Sequence, residues 1–128
     1  MAAQLFDHVD LRVKDWSVSL PLYEALMASL GMQRVDEGGA WIEYARAPMT
    51  TPYFAITQDG AHQGNATRIA FAADTREEVD AVYRAVVRAG ALHAEAPDFM
   101  YHPGYYGTFF EDADGNRFEV CCHTVPDA

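Results

Sequence analysis

The side chains from which chemistry can be argued lie near the two ends of the chain. In "YYGTFFEDADGNRFEV" (105–120) two aromatic-rich runs flank "DADG", the pattern of strand, turn, strand. With Ala113, Asp114 and Gly115 as a three-residue loop, Gly115 supplies the positive φ of a turn closed by a bulge. That register sets Phe110 opposite Phe118 and Phe109 opposite Glu119. Alternation then gives Phe118, Val120 and Cys122 one face, and Arg117, Glu119, Cys121 and His123 the other. Near the other end, "FDHVDLRV" (6–13) alternates in the same way, with Phe6, His8, Asp10 and Arg12 opposite Val9, Leu11 and Val13. His8 suits proton transfer, since an unperturbed imidazole titrates near ~6.5; it also suits a histidine satisfied by a neighbour. Asp10 and Glu119 are both acidic on inward faces, and carboxylates brought together push their pKa values apart. Tyr53, Tyr105 and Phe109, around the small residues Ala55 and Gly107, would wall a cleft for a flat ligand or fill an ordinary core. Trp41 fits the cleft mouth or a contact between two copies. His102 orders its loop or touches ligand, His123 sits at a strand end, and His62 and His93 fall in linker and loop.

Composition excludes several classes. Nine basic against nineteen acidic side chains give a formal charge of −10, which disfavours nucleic acid and anionic membranes as partners. An anionic ligand in a locally basic pocket stays open. Cys121 and Cys122 are adjacent, which is neither a disulfide framework nor a zinc spacing. No nucleophile elbow, P-loop or dinucleotide fingerprint is present. "MAAQLFDHVD" lacks the basic and apolar regions of a signal peptide, and no apolar run approaches the ~18 residues of a membrane span. A cytoplasmic location is the expectation. The 128 residues suit one domain, long enough to bury a core without disulfides or metal.

The elements that must position these residues come twice. After the first strand, "KDWSVSLPLYEALMASLG" places Leu20, Tyr23, Met27 and Leu30 at helical spacing, with Asp15 or Ser17 as cap and Gly31 as stop. Pro21 predicts a late start or a bend. Three strand-like pieces follow near 32–37, 40–46 and 52–58, then a linker over about 59–65. The pattern restarts with "TRIAFAA" (67–73). In "DTREEVDAVYRAVVRAG", Thr75 and Glu78 fit a capping box, Val79, Val82, Tyr83, Val86 and Val87 form the apolar stripe, and Gly90 stops the helix. Strands are expected near 92–97, 104–111 and 116–123. His8 and Arg68 stand sixty residues apart at matching points of their strands. The expected fold is therefore α+β, two βαβββ modules (about 4–58 and about 66–124) in a single domain over 1–128, with curled mixed sheets around a cleft and helices on the outer faces.

This pattern resembles the vicinal oxygen chelate superfamily of glyoxalases, extradiol dioxygenases, fosfomycin-resistance transferases and bleomycin-resistance proteins. "DHVDLRVKD" is similar to its first-strand motif, "LYEALMASLGM" to its first helix, "RIAFAADTREEVDAV" to its second-module start, and "YYGTFFEDADGNRFEV" to its closing hairpin. The resemblance implies a cleft with a divalent metal, Mn, Fe, Ni, Co or Zn. Its ligands would come from the first, fourth, fifth and eighth strands, here His8, Ala55, Arg68 and Glu119. Only His8 and Glu119 are metal ligands by type, since guanidinium has no lone pair to give. The incomplete set weighs toward no metal. Arg68 is then expected to pair with Glu119 as a forked ion pair, or to hold an anionic ligand group.

Three functions follow from the resemblance. One is a protein that binds a small organic molecule among Tyr53, Tyr105, Phe109, Trp41, Arg68 and His102, with a degraded metal site. Another is a divalent-metal glyoxalase, lyase or dioxygenase using His8 and Glu119 with a third ligand. The last is metal-free acid/base catalysis with His8 as base and Arg68 as clamp. A homodimer is implied in each case, as is the absence of nucleic-acid and membrane partners.

Overall fold

Two capped helices organise the chain. Asp15 accepts from the backbone N–H and the hydroxyl of Ser17 (3.0 and 2.6 Å) and starts α1 (Trp16–Ser29). Thr75 accepts from the Glu78 amide (3.1 Å), while Glu78 reaches back to the Asp74 amide (2.9 Å), starting α2 (Arg76–Arg88). α1 runs through Pro21 without a late start, because Asp15 rather than Ser17 caps it. The Gly31 and Gly90 stops both adopt positive φ, +72° and +99°.

The computed structural model describes residues 5–124, so residues 1–4 and 125–128 and the outer ends of the expected domain lie outside it. Around the helices run β1 (Val9–Val13), β2 (Met32–Glu37), β3 (Trp41–Arg46), β4 (Phe54–Gln58), β5 (Arg68–Ala72), β6 (Leu92–Phe99), β7 (Tyr105–Glu111) and β8 (Arg117–His123). The strands make two four-stranded sheets ordered β1-β4-β3-β2 and β5-β8-β7-β6, with β1/β4 and β5/β8 parallel and the rest antiparallel. This is the α+β fold of two βαβββ modules. β1 begins at Val9, one residue past His8, where the Val9 amide first reaches the Tyr53 carbonyl (3.0 Å). The closing hairpin has the expected register, Phe110 with Phe118 and Phe109 with Glu119, and Gly115 at φ +82°.

The modules share one core. Leu22, Tyr23, Leu26 and Met27 of α1, Val79, Val82 and Val86 of α2, and Phe54, Ile56, Phe71, Phe110, Phe118 and Val120 of the sheets all lie within it. Tyr23 lies edge-on to Phe118 (5.8 Å between centroids), and Phe54 edge-on to Phe71 (5.4 Å), so rings from both modules interlock. The helices thus cover the sheet faces opposite the polar ones, and each polar face points away from the shared core. Val87, expected in the apolar stripe, is 44% exposed. One residue past Val86 turns it some 100° around the helix, off the buried side.

A matched clamp ties helix to sheet in each module. The Tyr44 hydroxyl on β3 donates to Glu24 on α1 (2.8 Å), and the Tyr106 hydroxyl on β7 donates to Asp80 on α2 (2.6 Å). Burial first, then the Glu24 carboxylate, pushes the Tyr44 phenol well up; the Asp80 bond pushes Tyr106 up to about 12.

A third phenol–carboxylate pair spans the modules. Asp112 is 1% exposed. One of its oxygens accepts from the Asp114 and Asn116 amides (2.9 Å each), and the other from the Tyr23 hydroxyl (2.5 Å) and the Asn116 side-chain amide (2.8 Å). Asn116 also donates to the Arg12 carbonyl (3.0 Å) and meets His62 Nε2 (2.8 Å), so the turn fastens β1, α1 and the linker together.

Replacing Tyr23 by Phe should cost about 1.5–3 kcal/mol in urea unfolding, since it strips a donor from a buried carboxylate. Burial, and then the Asp112 charge, raise the Tyr23 phenol well above 10.0, so the stability it confers is fully present below pH 10 and is lost above it. The wild type should therefore weaken more steeply than Tyr23→Phe as the pH rises past 10.

Candidate functional site

Two outward faces carry the candidate residues. On the first sheet, Asp10 of β1, Ala55 of β4 and Glu43 of β3 form one cross-strand row. With Asp7, His8, Trp41 and Thr57 they line an open cavity of about 470 Å³. Thr57 donates to Asp10 (2.9 Å). His8 Nδ1 sits 2.7 Å from the Asp7 carboxylate, with the imidazole more than half exposed. That hydrogen bond raises the His8 pKa above 6.5 against a small desolvation penalty, helped by the charges of Asp7, Asp10 and Glu43. This face is acidic with one indole at its edge.

On the second sheet, the row is Ala70 of β5, Glu119 of β8 and Phe109 of β7, with Gly107 beside Cys121 and Tyr105 beside His123. The Arg68 guanidinium lies over the Phe109 ring, 4.6 Å from its centroid. Among the described residues no carboxylate comes within 4.0 Å of it, so the expected ion pair with Glu119 is not formed. A planar cation beside a large ring gains from stacking, and here stacking takes the place of the fork. Burial, and then Glu119, push the Cys121 thiol up to about 11, which keeps it protonated and unreactive at neutral pH. His102 and His123 stack at 5.7 Å, and Tyr101 lies edge-on to Tyr105 (5.2 Å) and Phe109 (6.3 Å).

The candidates are therefore divided. His8, Ala55 and Trp41 belong to the first face; Arg68, Tyr105, Phe109, His102, Glu119 and His123 belong to the second. Tyr53 lines a separate cavity of about 330 Å³ between β1 and β5, with Phe6, Val9, Arg68 and Ile69. Among the described residues, no three His, Cys, Asp or Glu side chains gather closely enough to hold a metal ion. Sequence reasoning missed Asp7 as the partner of His8, because a strand begun at residue 6 would put neighbouring side chains on opposite faces. The adjacency "DH" was the only available signal.

The match with known proteins covers this whole arrangement. The family model described as "Glyoxalase/Bleomycin resistance protein/Dioxygenase superfamily" matches residues 5–120. The chain belongs to that superfamily. A solved glyoxalase/bleomycin resistance protein from Albidiferax ferrireducens T118 is 30% identical, with a TM-score of 0.78, over 93% of this chain and 98% of that one. A glyoxalase/bleomycin resistance protein/dioxygenase family enzyme from Burkholderia phytofirmans PsJN shares the fold at 18% identity and a TM-score of 0.71, covering 91% of this chain and 97% of its own. The fosfomycin resistance protein FosX from Listeria monocytogenes does so at 18% identity and 0.71, covering 98% and 97%. A variant of FosX was solved with Mn(II) and 1S,2S-dihydroxypropylphosphonic acid. Among curated proteins none matches this chain.

A divalent ion such as the Mn(II) solved with the FosX variant needs several donor side chains gathered at one place. At the four positions that the resemblance implies as ligands, Ala55 offers no donor atom and Arg68 no lone pair, while His8 lines the first face and Glu119 stands on the second. The residues of one chain do not fit the ion.

In a pH titration followed by imidazole NMR, His8 should show a midpoint above 6.5. Asp7→Asn should bring that midpoint down, because the carboxylate that favours the protonated ring is gone.

Proposed function

We propose that this superfamily member binds a small organic anion on the aromatic face of the second sheet, with Arg68 holding the charged group and no metal in the family position. The observation that carries this reading is the Arg68 guanidinium, stacked on Phe109 and without a carboxylate partner among the described residues. An arginine held flat by a ring keeps its forked N–H edge free for a planar carboxylate or a phosphonate. In a chain of net charge −10, such a cation is a local exception that favours anions at one place. Phe109 and Tyr105 supply the apolar surface beside it, with Tyr101 edge-on to both.

The metal-enzyme and acid/base readings both need His8 next to the second face, and within one chain it stands on the first. A second copy would supply it. β1 and β5 each lie at the edge of their sheet, and each sheet turns a polar face away from the shared core, so two copies can set the first face of one against the second face of the other. We propose a homodimer in which the first face of one copy, with His8, covers the aromatic face of the other, closing the ligand between them.

Calorimetry with a panel of arene carboxylates and phosphonates should find a binder, and Arg68→Ala should weaken it at least about tenfold, the loss of a charge-assisted hydrogen bond. A panel that stays silent, or binding indifferent to Arg68, would sink the anion reading. Sedimentation should give twice the 14.2 kDa chain mass; a monomer throughout would remove the paired-face arrangement.

A further inference from the structure

The hydroxyl of Tyr105 has no hydrogen-bond partner and is shut away from solvent, although Tyr105 is only 5% exposed and lies on the polar side of its sheet. Native proteins pair nearly all such groups, so an orphan at this place is an anomaly that needs a cause. Three neighbouring features share it. Gly107 has no side chain, and that lets the Tyr105 ring lie along β7: a Cβ there would meet both Tyr105 Cε1 and its hydroxyl at 3.1 Å, and the Cys121 Cβ at 3.2 Å. Tyr101, which covers the ring edge-on, holds a left-handed backbone at φ +65°, a conformation costly for a bulky residue. Its own side chain is 74% exposed, so the fold gains little burial from keeping it there. Cys121, His102 and His123 are the polar side chains around the Tyr105 ring, and none of them pairs with its hydroxyl.

We infer that the Tyr105 hydroxyl is a ligand-recognition group, left unpaired until the ligand's own oxygen meets it once Tyr101 swings aside. The inference rests on the anion reading of Arg68 and deepens it by naming the ligand class. Arg68 sits over Phe109, and the Tyr105 hydroxyl sits over Gly107, two residues along the same strand and on the same face. Same-face neighbours on a strand lie about 7 Å apart along the chain, so one ring-sized ligand laid along β7 can meet both groups. The structure thus assigns to this face an arenecarboxylate, or its phosphonate counterpart, carrying an oxygen para to the acid. The acid lies on the guanidinium, and the para oxygen accepts from Tyr105.

Benzoate and 4-hydroxybenzoate are the probes, titrated by calorimetry into the wild type, Tyr105→Phe and Arg68→Met. The wild type should prefer 4-hydroxybenzoate by about five- to twentyfold, the range for one hydrogen bond at an otherwise unpaired buried group. Tyr105→Phe should erase that preference, keep its affinity for benzoate, and melt at the same temperature or higher, since it removes an unpaired buried hydroxyl. Arg68→Met should lose both probes. Equal binding of the two probes by the wild type, or a preference that survives in Tyr105→Phe while Arg68→Met abolishes binding, would overturn the hydroxyl assignment and leave the anion reading standing. A wild type that binds neither probe would overturn both. A lower melting temperature in Tyr105→Phe would show that the hydroxyl serves the fold, and would overturn the assignment too.

Discussion

The structure depends most on one buried carboxylate. Asp112 sits in a turn near the end of the chain and is saturated by donors from its own loop and from Tyr23, a helix residue of the other module. A carboxylate in an apolar interior is tolerated only when its lone pairs are filled, and here the donors that fill them also choose the geometry. Tyr23 can reach Asp112 only if α1 lies against the β7–β8 hairpin. Asn116 can reach the Arg12 carbonyl only if β1 runs past that turn. With both satisfied, the ring cluster of Tyr23, Phe54, Phe71 and Phe118 closes, and the two sheets are committed to turning their polar faces outward.

The outward turn explains what the sequence could and could not reveal. Alternation in "RFEVCCH" and in "FDHVDLRV" identifies which side chains share a face, because period two is a local property of extended chain. The doubled strand–helix–strands pattern and the two glycine stops are local as well, and they recover the fold with its boundaries off by one to three residues. Whether two faces look at each other is not local. His8 matches Arg68 in the repeated pattern, and nothing in its spacing to Glu119 records that the modules meet through their helices. The phenol–carboxylate contacts were also invisible. Tyr44 and Tyr106 look like ordinary strand aromatics, and only the packed helix shows that Glu24 and Asp80 are waiting under them.

Arg68 shows the same limit at a single side chain. Its place in the pattern made Glu119 the obvious partner by charge. In the fold the guanidinium has an alternative that charge counting ignores, the face of Phe109. Stacking fixes the plane of the fork without using its hydrogen-bonding edge. A salt bridge would have fixed it and consumed that edge together. The difference separates a closed structural pair from a group still able to recognise something, and it turns on a ring two strands away.

The long reach of the Asp112 turn has a consequence for how the protein is made. Tyr23 and its acceptor are 89 residues apart, and Asn116 and the Arg12 carbonyl 104. On a ribosome the first helix emerges long before the hairpin that must receive its phenol. Until then Tyr23, Phe54 and their neighbours have no Phe118 to pack against, and the nascent first module carries an open apolar flank. Completion of the fold therefore waits on β7 and β8, and until they arrive the apolar flank of the first module stays uncovered.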